Sequence, residues 1–135
     1  MIVFFGDHQP SLARGINDTV FPNEDELEHA TRIMKTPYFI WTNYDVAGET
    51  PELGLESSAN YLAAQTLEAI GAPLSDYEKA QLVLHDTLRA VNVNGYEDAN
   101  GTWHSTDEDP VANPAAKEAY DQLQTLHYLN VVRKL

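Results

Sequence analysis

The chain of 135 residues contains no cysteine, which excludes both a disulfide framework and a thiolate zinc site. It is also poor in positive charge: eight Lys and Arg stand against 21 Asp and Glu, a net charge of −13. Such a balance repels phosphate backbones and anionic lipid surfaces, and no basic patch offsets it, so nucleic-acid binding is disfavoured. No apolar run approaches the roughly 20 residues that a membrane-crossing helix needs, and the N-terminus has no basic stretch followed by an apolar one. Paired histidines are missing as well. His29, His85, His104 and His127 form no HxH or HxxxH pair with each other or with His8, and they read as packing or surface residues rather than ligands.

What is present suffices for one domain, with 43% hydrophobic residues to build a core. The most informative stretch is Ile2-Val3-Phe4-Phe5-Gly6-Asp7-His8-Gln9-Pro10. Four bulky residues in a row predict a strand covered on both faces, and Gly6 lets the backbone turn at its carboxyl end, where open α/β sheets place their ligands. Asp7 offers a hard anionic oxygen and His8 a borderline nitrogen, a pair that suits manganese, zinc or iron better than calcium. Two ligands are too few. A catalytic ion normally takes at least about three from the protein, so the pair by itself is expected to bind metal weakly or not at all.

Local punctuation sets the remaining elements. Gln9 to Pro22 reads as a loop broken by Pro10, Gly15 and Pro22. Asn23 precedes three acids that suit a helix N-terminus, and Leu27, Ala30, Ile33 and Met34 give that helix its apolar face. Pro37 opens a strand from Tyr38 to Asn43, expected in the same sheet as the first. After a Gly- and Pro-bearing loop from Val46 to Leu55, Ser57 or Ser58 caps a helix carrying Leu62, Ala63, Leu67 and Ile70 and ended by Gly71. Ser75 and Glu78 form a capping box for a helix with Tyr77, Leu84, Leu88 and Val91 on one stripe. Asn113-Pro114 opens a last helix whose inner face is Ala116, Tyr120, Leu123 and Leu126.

Between these helices the acidic stretch from Asn94 to Asp109 invites comparison with a calcium loop. With Gly101 as the central glycine, Tyr96 falls at the first ligand position and Asp107 replaces the final bidentate Glu, so the ligand set is broken. A solvated turn or hairpin around Ala99-Asn100-Gly101 is the favoured reading.

Strand, Gly6, Asp7, His8, a variable residue and Pro10 together resemble the C-terminal metal-binding motif of the lipoteichoic acid synthase-like sulfatases, a branch of the alkaline phosphatase superfamily. Thr36-Pro37-Tyr38-Phe39-Ile40-Trp41-Thr42-Asn43-Tyr44-Asp45 resembles the threonine, proline and aromatic-strand segment that follows it there. The blocks occur in the family's order, and the resemblance spans residues 2–90 before thinning. It implies an α/β fold: a small, mostly parallel sheet remnant with about four helices, the C-terminal part of an alkaline phosphatase-like domain, with residues 1–135 an incomplete portion of it.

The resemblance further implies that Asp7 and His8 are metal ligands, not bases, and that an upstream acid and a nucleophilic threonine complete the site. All ten threonines of this chain follow Asp7 and none has the nucleophile's context. No catalytic residue is therefore assigned here, Met1 is expected to be a truncated start, and the isolated chain is expected to be inactive. The implied cofactor is a divalent metal, manganese first, in the complete protein. The implied reaction is attack by the threonine on a phosphoryl or sulfuryl centre, then transfer to water or an acceptor alcohol. Phosphoglycerol lipids rank above sulfate or other phosphate esters as substrates, with Gln9 and Ser11 near enough to touch them. The parent protein is implied to be membrane-anchored, with its catalytic domain outside the cell. Bare sheet edges in such a remnant lead to an expected homodimer. The alternative is a noncatalytic acidic α/β interaction module in which Asp7-His8 is merely a loop feature.

Overall fold

The computed structural model describes residues 1–45, 54, 56–107 and 113–133, so most of the expected loop from Val46 to Leu55 lies outside the described residues. In chain order the elements are β1 (Ile2–Phe5), α1 (Ala13–Val20), α2 (Glu26–Arg32), β2 (Tyr38–Trp41), α3 (Ala59–Ala69), α4 (Asp76–His85), β3 (Leu88–Val91), β4 (Gly95–Asp98), β5 (Trp103–Ser105) and α5 (Pro114–His127), the last continuing into a π-helical turn over Tyr128–Val132. The class is mixed α/β, as expected.

The sheets differ from expectation. β1 and β2 do share a sheet, but they run antiparallel, with Phe4 opposite Phe39, and β3, β4 and β5 form a second antiparallel sheet. No parallel pair occurs among the described residues, so the mostly parallel remnant is corrected. For the second sheet the connections explain why. A parallel pair needs a crossover that returns the chain in its original direction, whereas short turns join β3 to β4 and β4 to β5, and short turns permit only antiparallel pairing.

The core belongs to the second half of the chain. Tyr61, Leu84, Leu88, Tyr96, Ala116, Ala119 and Leu123 are buried together where α3, α4 and α5 meet β3 and β4, with Val91, Tyr120 and Leu126 packed at the margin. Tyr96 stacks on Tyr120 at 5.1 Å and on His104 at 5.4 Å. Both the Ser75–Glu78 capping box and the Asn113 cap with Pro114 in the first turn form as the sequence indicates. A further capping box joins Asp25 to Glu28, so α2 starts two residues later than the Asn23 cap would place it.

Two expected elements are revised. The Gln9 to Pro22 loop contains α1, which brings the α-helices to five among the described residues. Gly15 is tolerated there because its cost is small against a turn that packs Asn17 onto Gln9 through a 2.9 Å hydrogen bond. The helix expected to reach Val91 stops at His85, and Leu88 to Val91 become β3. Leu84 and Leu88 fit a helical stripe, yet Leu88 and Ala90 are buried around an exposed Arg89, the two-residue period of a strand paired to β4.

β1 also departs from the covered strand that its composition predicts. Ile2, Phe4 and Phe5 are exposed, as are Phe39 and Trp41 on β2, because a two-stranded ribbon has no second layer against it among the described residues.

Candidate functional site

The loop after β1 is held by the second motif block. Gly6 N–H donates to the Pro37 carbonyl at 3.0 Å, and the Thr36 hydroxyl donates to the Gly6 carbonyl at 2.8 Å. A Cβ at Gly6 would lie 2.9 Å from Thr36 Cβ, so the two segments approach this closely only with glycine there. The two motif blocks are thus in direct contact at the carboxyl end of β1.

Asp7 and His8 follow immediately, with side chains 83% and 78% exposed. Their hydrogen bonds leave one donor atom of each free. Asp7 Oδ1 accepts the His8 backbone N–H at 2.9 Å, which leaves Oδ2 unused. His8 Nδ1 lies 3.0 Å from the Gln9 carbonyl, which can only accept, so Nδ1 carries the proton and the neutral ring offers its Nε2 lone pair. A carbonyl partner on the distal nitrogen is the usual support of a metal-binding histidine. Nε2 and Oδ2 are 3.7 Å apart, close to the separation of about 3.4 Å expected for two donors each about 2.1 Å from a tetrahedral ion. The donors therefore fit a divalent ion in kind and spacing but not in number: among the described residues no group of three His, Cys, Asp or Glu could hold a metal.

Gln9, which the sequence placed near enough to touch substrate without assigning it that role, has its side-chain amide engaged within the chain. Its Nε2 donates to the carbonyls of Arg32 and Lys35 at 2.9 and 2.8 Å, and its Oε1 accepts from Asn17, which ties the loop to α1 and to the end of α2. Ser11 is exposed in the turn before α1.

Asp7 also borders a cleft of about 1030 Å³, lined further in by Lys35, Thr36, Glu56, Glu97 and Trp103. Glu97, on β4 opposite Trp103 of β5, is 2% exposed. Its Oε2 has no hydrogen-bond donor, nor does Trp103 Nε1 have an acceptor. Burial, and then the neighbouring Glu56 carboxylate, push the Glu97 carboxyl up to about 7. Glu56 moves the other way: a hydrogen bond from Glu97, then the Lys35 ammonium at 2.7 Å, hold it below the usual range. A buried acid beside a carboxylate holds its proton more tightly than one in water.

Asp98, the next residue, faces the other way and has the opposite fate. Burial alone would raise its carboxyl, but His104 Nε2 at 3.0 Å, the backbone N–H groups of Thr102 and Asn100, and the Asn113 amide donate to it and hold it low. Within the 94–109 stretch, described up to residue 107, the expected solvated turn around Ala99-Asn100-Gly101 forms, with Gly101 at φ +82° and all three residues exposed, while Glu97, Asp98 and His104 on the strands it joins are buried. Sequence reasoning missed Glu56 and Glu97 as a pair, because 40 intervening positions hide their proximity. The available signal was alternation: Tyr96 and Asp98 share one face of a strand and Glu97 takes the other, opposite Trp103. Comparison of the chain with family models, curated proteins and solved structures finds no match.

Proposed function

We propose that this chain is the C-terminal portion of a metal-dependent phosphoglycerol transferase or sulfatase-like enzyme of the cell envelope, and that Asp7 and His8 supply two of its metal ligands. The observation that carries the reading is the pair itself. Two unused donors, Asp7 Oδ2 and His8 Nε2, converge at the end of a strand, and the Gln9 carbonyl holds the imidazole in the ligating tautomer. The contact between Gly6 and Thr36-Pro37 adds to it, because it joins the two segments that carry the family resemblance. A bound manganese would stabilise negative charge on a phosphoryl or sulfuryl oxygen. The part of this chain is to hold two coordination positions beside a cleft in which a phosphoglycerol or other ester could lie; the nucleophile is not among its residues.

The exposed aromatic ribbon supports the same reading, since in a complete domain it would be an interior part of a larger sheet. In the isolated chain the ribbon would drive association into a homodimer. A noncatalytic acidic interaction module is the second reading, favoured by that same apolar surface.

Manganese titration separates the readings. A longer protein that contains this chain should bind the ion tightly, and Asp7→Ala or His8→Ala should weaken binding by more than the roughly 10- to 100-fold seen when only a supporting partner of a ligand is lost. The 135-residue chain alone should bind weakly. Unchanged affinity and activity in both variants of the longer protein would refute the ligand assignment and leave the interaction module.

A further inference from the structure

The inner wall of the cleft beside Asp7 carries a carboxyl group without a counterpart. Along β4, Tyr96 turns to the core and Asp98 to the cap of α5, so alternation sends Glu97 to the cleft side, directly opposite Trp103 of β5. Glu97 is 2% exposed, yet its Oε2 has no donor, and Trp103 Nε1 has no acceptor. Such atoms are costly to bury and call for a partner. Residues opposite each other on paired strands stand about 5 Å apart at Cβ, so the unused acceptor and the unused donor belong to neighbouring side chains. Ser58, at the N-cap position of α3, lines the same cleft, and its hydroxyl is unpartnered as well.

Charge decides which partner fits. Among the described residues the cleft is lined by four carboxyl groups, those of Asp7, Glu56, Glu68 and Glu97, against one cation, Lys35. Lys35 is committed to Glu56 at 2.7 Å, and neither it nor Arg89 of β3 bonds Glu97 Oε2. One carboxyl of the cleft thus already holds an alkylammonium, and the buried one has none. The rings of Tyr38, Phe39 and Trp103 share the lining, and aromatic faces attract organic cations while covering their carbon chains. A bare divalent ion is less suited, since no group of three ligands exists for it among the described residues.

We propose that the cleft binds a small organic ammonium compound with a hydroxyl or carbonyl acceptor next to its charge, the ammonium paired with Glu97 and the acceptor with the Trp103 indole N–H. The carbon chain of the ligand lies along the aromatic wall. At about 1030 Å³ the cleft has room for it. Both anchoring atoms are closed to water in this conformation, so binding turns the Glu97 side chain toward the ligand, a rotamer change of the kind that binding commonly brings. Burial, and then the Glu56 carboxylate, hold the Glu97 carboxyl up at about 7, as expected of an acid short of a cation, and a bound ammonium brings it down. The site does not depend on the metal pair.

Nuclear magnetic resonance on the chain tests it, with 3-amino-1-propanol as probe at about pH 8, where the amine is charged and most of Glu97 is ionised. The Trp103 indole N–H, told from that of Trp41 by Trp41→Phe, should move with the probe and saturate. 1-Propanol, which lacks the charge, should bind at least about 10-fold more weakly, and propylamine, which lacks the acceptor, about 3- to 10-fold more weakly. Glu97→Gln should weaken the probe by about 10-fold or more. Trp103→Phe keeps a ring without the N–H and should erase the preference for aminopropanol over propylamine; followed through the backbone amides of β4 and β5, it serves even if Glu97→Gln does not fold. An indole with no saturable response up to about 100 mM probe overturns the site. So does an equal response to 1-propanol, to potassium at the same ionic strength, or to the probe in Glu97→Gln, and so does a preference that survives Trp103→Phe.

Discussion

Adjacent residues Glu97 and Asp98 are both almost fully buried acids, at 2% and 4% exposure, yet their surroundings drive them apart. Asp98 has four donors aimed at it, and Glu97 Oε2 has none. The consequences for stability have opposite signs. Glu97 titrates higher in the folded chain, about 7 against an ordinary 4.5, so its contribution is complete below 4.5 and is lost as pH rises through about 7. Asp98 titrates lower than its ordinary 3.8, so its contribution is present above that value and is lost as pH falls through the depressed one. Urea unfolding should therefore show the chain losing stability from about pH 5 to 8, with a flatter profile in Glu97→Gln. Asp98→Ala should cost about 3 kcal/mol at neutral pH, because it strands two backbone N–H groups, an imidazole and an amide in a buried turn.

At the scale of the element, the close approach of β1 to the Thr36-Pro37 entry of β2 is the feature most open to a single substitution. Gly6→Ala would drive a methyl group to within 2.9 Å of Thr36 Cβ, and its cost should be about 1–3 kcal/mol by denaturant unfolding, with the Asp7-His8 loop displaced. This contact shows what was legible in the sequence. Gly6, Thr36 and Pro37 were readable as punctuation, and the caps at Ser75 and Asn113 are where their side chains put them, since capping is a matter of a few neighbouring residues. The direction of the strands was not readable, because it depends on how connections pass through space. Leu88 and Val91 continue the helical spacing of Leu84, while Leu88 and Ala90 fit the alternation of a strand, and the pairing of β3 with β4 decides between them. Asp7 and His8 were visible because they are neighbours in the chain. Glu56, Glu97 and Lys35 were not, because folding alone brings them together.

Over the whole molecule, buried and exposed apolar residues are unevenly divided. The buried cluster draws on residues 61–123, whereas Ile2, Phe4, Phe5, Phe39 and Trp41 of the ribbon and Leu12, Ile16 and Val20 along α1 are exposed. Phe4 and Phe39 stack at 5.1 Å on a surface open to water. A two-stranded ribbon is marginal by itself, and a bare apolar edge invites further strands. The contrast gives a prediction with two parts. Leu123→Ala, at a fully buried position, should destabilise the chain by about 2–5 kcal/mol, while Trp41→Ser should cost the isolated chain well under about 1 kcal/mol. In a longer protein that covers the ribbon, Trp41→Ser should become as costly as a core substitution. Light scattering after size exclusion should find the isolated chain associating as concentration rises, and Trp41→Ser with Phe39→Ser should weaken that association. A monomer at every concentration would mean that the ribbon tolerates water, and the argument for a missing covering layer would fall with it.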